Sequence, residues 1–306
     1  MRLFWLQSLA IAVLANFAVA ADVDGIKAYD FRAAPFLEQL DSTTVTSLHI
    51  SNAGELWIGM QEGLHAYTGT GLRNYSSDAS LPNSISSDWV TSIVETRDGL
   101  LLIGTLNGVN AYDRESDGFY ELVHAEQPEP DQTFAQAAYS LFTDSDNRIW
   151  VGHDGAVSII DHDRKLSTVI DGSAALIDIG LVNGFAENAD GVWAITSEAG
   201  LLNISPSGKV NQRISKFTLF EDAGPTVQPN GIFIDSTGLL WAWSIEHGIR
   251  VIDPSTLQTV ASILSDSESS TRIFDVIEES PGIFWIATAN GLVLYDSNTD
   301  SITEIG

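Results

Sequence analysis

The chain has 306 residues, a formal charge of −27 from 14 basic and 41 acidic side chains, and no cysteine. Apolar residues make up 44% of it, which excludes a disordered chain and permits a large core. So acidic a surface repels phosphate backbones and anionic lipid, which argues against nucleic-acid binding. The missing cysteine excludes disulfides, Cys–zinc sites, iron–sulfur clusters and thiol nucleophiles.

Residues 1–20 have the form of an export signal. Met1-Arg2 is a minimal positive start, 3–17 is mostly apolar, and Ala18-Val19-Ala20 is an A-x-A cleavage site. The run is short for a bilayer span, so cleavage is expected, with an uncleaved anchor as the alternative. Residues 21–43 form an N-terminal segment. Within it 34–40 (APFLEQL) reads as an isolated outer strand that could close a ring.

From residue 44 to 306 one motif recurs six times. The units are 45–67, 90–113, 138–161, 182–205, 230–253 and 272–296. Their aromatic column is Trp57, Leu102, Trp150, Trp193, Trp241 and Trp285, at spacings of 45, 48, 43, 48 and 44 residues. Each unit opens with a short stretch of imperfect alternation, such as 45–50, which reads as a strand. A Gly-containing or Asp-containing turn follows, as at Arg97-Asp98-Gly99 or Ser236-Thr237-Gly238. The Trp strand comes next, then a loop ending in Gly63, Gly108, Gly155, Gly200, Gly248 or Gly291. A third strand and a weaker fourth complete the unit. Four strands in about 45 residues, repeated, is the signature of an all-β propeller of four-stranded blades. Its Trp column is expected to fill the space between neighbouring blades.

Six blades are visible, and the last, 301–306, reads as a fourth strand. Pairing 34–40 as an outer strand implies a seventh blade, so the sequence is expected to be part of a longer chain with seven blades. The alternative is a six-bladed ring with an appended N-terminal strand.

The repeat resembles the two-component regulator propeller repeat. Residues 90–113 (VTSIVETRDGLLLIGTLNGVNAYD) follow its pattern with Leu102 in place of Trp, and Leu56-Trp57-Ile58-Gly59 matches its LWIG. The linker 80–86 (SLPNSIS) is similar to the family's inter-blade linker. Units four and five depart from the pattern, because Trp193-Ala194-Ile195 and Trp241-Ala242-Trp243 lose the Gly. The resemblance implies the periplasmic sensor region of a bacterial hybrid histidine kinase or diguanylate cyclase. It implies inner-membrane anchoring of the full-length protein through a downstream helix, and a homodimer formed through that receptor.

In such a fold the loops joining second to third strands, and the entries to first strands, converge on one face. These positions supply the candidate ligand-binding residues: Trp89, Asn107, Tyr139, His153, Asp154, Asn183, Asn230, Glu246, His247, Arg272 and Asn290. Polar and aromatic groups together suit a small polar or carbohydrate ligand. No catalytic residue, metal site or cofactor is assigned. His153-Asp154 and Glu246-His247 lack metal-ligand spacing, and Asp144-Ser145-Asp146-Asn147 lacks the Gly and distal Glu of a calcium loop. No nucleophile elbow, phosphate loop or dinucleotide fingerprint occurs. The expected function is therefore ligand recognition without chemistry. The alternatives are a propeller lyase of the streptogramin-lyase type, with Glu246-His247 as its pair, or a stand-alone periplasmic interaction scaffold.

Overall fold

The computed structural model describes residues 34, 36–40, 44–122, 137–163, 166–171, 178–221, 224, 226–265 and 272–305. The export signal expected in residues 1–20 lies outside the described residues. Six antiparallel sheets of four strands form a six-bladed β-propeller, with blades spanning 45–75, 90–121, 140–171, 182–214, 229–263 and 273–305. Each blade runs in simple up-and-down order from the axis outward. The innermost strands are Val45–Ile50, Val90–Glu95, Ser140–Thr143, Val182–Asn188, Pro229–Ile234 and Ile273–Ser280. Among the described residues no helix is long and apolar enough to cross a membrane.

A flat sheet has two faces, and a blade buries both only against its neighbours. Five seams do this with separate apolar clusters. Trp57 fills the first with Ile93 and Phe119, and Leu102 the second with Leu141 and Ile149. Trp150, Trp193 and Trp241 fill the third, fourth and fifth. The six-position aromatic column thus points each blade at the next. Three of its indoles are also held inside their own blade, because Trp150, Trp241 and Trp285 donate Nε1–H to Asp144, Asp235 and Glu279 six residues earlier. The Asp144 carboxylate also accepts from Arg148 Nε and from the backbone N–H of Asp146 and Arg148. Protein donors thus occupy the turn that superficially resembled a calcium loop.

Hydrogen bonds stitch the same seams. Near the axis Thr46 donates to Val90 O at 2.7 Å, Thr91 to Ala138 O, Ser140 to Val182 O at 2.8 Å and Asn183 to Pro229 O at 2.6 Å. At the opposite ends of the innermost strands, Glu95, Glu187 and Glu278 accept N–H groups from the preceding blade's turn, at Asn52, Ser145 and Ser236.

The sixth seam, between blade six and blade one, is built differently. Blade one carries Ile50 where blades two, four and six carry those glutamates, and Ile50 is 70% exposed. Ile277 of blade six and Leu48 of blade one are exposed as well. Among the described residues, the innermost strands of these two blades do not pack together as the other five pairs do.

Residues 34 and 36–40 are not the outer strand expected from the sequence. They make one 3-10 turn, Leu37–Gln39, closed by Gln39 N–H to Phe36 O at 2.9 Å. Phe36 is buried with Ile58 and Met60, and its ring centroid lies 4.5 Å from that of Tyr67. Burying that ring outweighs extending the segment along a sheet, and Pro35 has no N–H to give a ladder. The turn thereby covers part of blade one's face at the sixth seam.

Asp144→Ala removes four donors' acceptor and strands the buried Trp150 N–H. It is expected to cost about 2–4 kcal/mol. Asp190→Ala, at an exposed turn, should cost less than about 0.5 kcal/mol. Urea unfolding of both variants checks the contrast, and equal costs would refute this role for Asp144.

Candidate functional site

The imperfect alternation of the first strands has a structural cause. In five blades the register of the innermost strand shifts by one residue, at Thr46, Thr91, Asn183, Asn230 and Phe274. A bulge frees one residue from the ladder and re-aims its side chain. These five residues, with Tyr139 at the same place in blade three, all line the axial channel. The next residues along, Ser47, Ser92, Ser140, Gly184, Gly231 and Asp275, form a second ring in the same wall. Two stacked rings of equivalent residues therefore define a cavity of about 660 Å³.

Within the first ring, Thr46, Thr91 and Asn183 spend their side chains on the seam bonds already described. Tyr139 is half-buried. Desolvation and the nearby Asp154 charge both raise its pKa, so its hydroxyl stays protonated. Phe274 is apolar. In the second ring the serines are used by their neighbours: Ser47 accepts Ile93 N–H, and Ser92 accepts Leu141 N–H. Gly231 is required by Trp243, which stands opposite it where the first three blades have Gly59, Gly104 and Gly152. A Cβ at Gly231 would run into the Trp243 ring. The bulky residue has moved from one strand to the next, and this brings an indole to the channel wall.

Of the residues expected from the sequence, Trp89, Tyr139, Asn183 and Asn230 line this cavity. The others do not. His153 is buried, with Nδ1–H donated to Ala137 O at 2.8 Å and Nε2 accepting from Ser158 Oγ at 2.9 Å. Burial lowers its pKa and keeps the ring neutral. Asp154 is exposed and bridges to Leu181 through the backbone. Asn107 Nδ2 donates to Ser86 O, and Asn290 is exposed at its loop tip. Glu246 faces Arg272 at 3.7 Å, and His247 is held by its backbone N–H to Ser244 Oγ. Among the described residues no group of three or more His, Asp or Glu could hold a metal ion.

Sequence reasoning missed Asp275. Aligning the six units in register would have found it, because it stands in a column that otherwise holds Ser, Ser, Ser, Gly and Gly. Its Oδ1 accepts Val276 N–H at 2.9 Å. Solvent reaches the side chain along the channel, yet protein surrounds it. Desolvation outweighs that hydrogen bond and pushes its pKa up to about 6, from an ordinary 3.8. The folded chain therefore holds a proton between about pH 4 and pH 6 that the unfolded chain has released, so stability falls as pH rises through that window. Asp275→Asn is expected to raise the melting temperature at pH 7 and to leave it unchanged near pH 4. A gain of equal size at both pH values would contradict this.

No family model and no curated protein matches the sequence. Solved structures do match the fold. The extracellular domains of two proteins assigned as hybrid two component systems of B. thetaiotaomicron are each 20% identical over 86% of this chain, with TM-scores of 0.67 and 0.70. The chain spans about a third of their length, 36% and 35%. Virginiamycin B lyase from Staphylococcus aureus, in an inactive form with quinupristin, is 16% identical over 92% of this chain and 87% of its own, with a TM-score of 0.65. At such identities the likeness is one of fold: the chain is a β-propeller similar to the extracellular domains of hybrid two component systems and to a lyase.

Proposed function

We propose that this chain is an exported sensor propeller of a bacterial membrane signalling receptor, binding a small ligand in its axial channel without chemistry of its own. The observation that supports this most is the bulge-built cavity. One bulged position recurs in five of the six blades, and each time it delivers a side chain to the same wall. A scaffold needs no such recess. The described residues around it are mostly aromatic, amide, hydroxyl and aliphatic groups with one carboxylate, Asp275, a lining suited to binding and orienting a ligand. The signal-like sequence of residues 1–20 and the fold likeness to extracellular domains of hybrid two component systems support the placement outside the cytoplasm.

The lyase reading draws support from the fold likeness and would rest on Glu246 and His247. Glu246 is paired with Arg272, and neither residue lines the cavity.

Thermal unfolding of the purified chain against a panel of saccharides, amino acids, amines and carboxylates tests the proposal. A ligand at a hundredfold excess over its Kd adds about 2.7 kcal/mol of stability, a shift of several degrees. Trp89→Ala and Asn230→Ala are each expected to abolish that shift while folding normally. A panel without any shift, or shifts that survive both substitutions, would overturn the reading.

A further inference from the structure

The cavity is not symmetric about the axis. The Trp57, Leu102, Trp150, Trp193 and Trp241 side chains lie wholly inside their seams and do not reach it. Trp285 does, and so do Ala287 and Leu292 beside it. These three share the face of blade six that looks away from blade five, because Trp285 pairs with Ile277 and Leu294, and Ala287 with Asp275 and Leu292. The counterparts of Leu292 in the other blades are all buried away from the channel. The cavity therefore runs from the axis into the loosely closed sixth seam, and Asp275 stands where channel and seam meet.

The chemistry of this recess is unusual. Among the described residues lining the cavity, Asp275 is the one charged side chain, and none is Lys or Arg. Six aromatic side chains share the wall: Trp89, Tyr139, Phe185, Trp243, Phe274 and Trp285. An aromatic face attracts a cation, and more strongly where water is scarce. The Asp275 carboxylate, open to solvent along the channel and recessed among protein atoms, attracts a cation more strongly than it would in bulk water. The net charge of −27 further raises the local concentration of cations at the mouth.

We propose that the cavity takes a small organic cation, an amine with an apolar body, whose ammonium group meets Asp275 and whose body lies against Trp285, Ala287 and Leu292 in the seam between blades six and one. This inference rests on the sensor reading above and names its ligand class. The same seam gives binding a mechanical consequence. A body wedged between blades six and one adds apolar contact to a seam whose described cluster, Phe36 with Ile58 and Met60, includes no residue of blade six. Ligand and ring closure are thereby coupled.

Calorimetry at pH 7.5 with phenethylammonium and its neutral isostere 2-phenylethanol tests this on the purified chain. The amine is expected to bind about tenfold or more tightly than the alcohol, and Asp275→Asn to remove that advantage without changing the alcohol's affinity. Asp275→Ser, which restores the residue of the first three blades, should act likewise and guards against misfolding. Amine affinity of the unaltered chain should fall as the pH drops below about 6, and stay flat in Asp275→Asn. No amine binding, equal affinities for amine and alcohol, or amine binding untouched by Asp275→Asn would each overturn the proposal. Saccharide binding without amine binding would overturn it and leave the sensor reading standing. No binding of any probe would count against both.

Discussion

Everything in this molecule follows from the need of a four-stranded sheet to bury two faces. One blade alone exposes both. Stacking blades around an axis solves the problem repeatedly, with a large residue in the gap and hydrogen bonds at one or both ends of the seam. The Trp column supplies the volume. Thr46, Thr91, Ser140 and Asn183 supply the inner bonds, and Glu95, Glu187 and Glu278 the outer ones. The sixth seam departs from that formula on both sides. Ile50 stands at the glutamate's position, as Ile234 does in blade five, and Phe274 stands at the position of Thr46, Thr91 and Asn183. The departure is written in the sequence and does not arise from packing alone.

The bulge is the second constraint, and it converts a structural repeat into a site. A regular strand would send alternate residues to opposite faces of a blade, into the seams. In five blades the extra residue turns one side chain towards the axis, and in blade three Tyr139, just before the strand, takes that place. Because the bulge recurs at the same register, the side chains make a ring, and the ring is the wall of the cavity. Variation around it is then free to set ligand chemistry, since the fold needs the bulge more than it needs any particular residue there. Tyr139, Asn230 and Phe274 illustrate that freedom, and Asp275 one step along carries the one charge among the described lining residues.

The repeat made most of the architecture legible. Six units in register predict six blades, and the hairpin glycines and aromatic column mark the strands within each. What escaped was anything that depended on comparing one blade with another. The imperfect alternation was visible but not its cause, since a bulge is defined by the partner strand. His153 and Asp154, adjacent in sequence, part company because one faces the blade interior and the other solvent. Residues 34–40 have the composition of a strand, yet a single buried ring, Phe36 against Tyr67, decides their shape. Trp89, Tyr139, Asn183 and Asn230 were legible because strand entries converge on an axis in any propeller. Asp275 was missed because it lies inside the strand rather than at its entry.

The most direct test is a crystal structure of the chain grown with phenethylammonium. The account predicts density in the axial channel with the ammonium group in hydrogen-bond reach of Asp275, the phenyl ring against Trp285, and blades one and six drawn together around it. Density for the amine on the outer rim alone, or a channel holding only water at a concentration where calorimetry shows saturation, would contradict it.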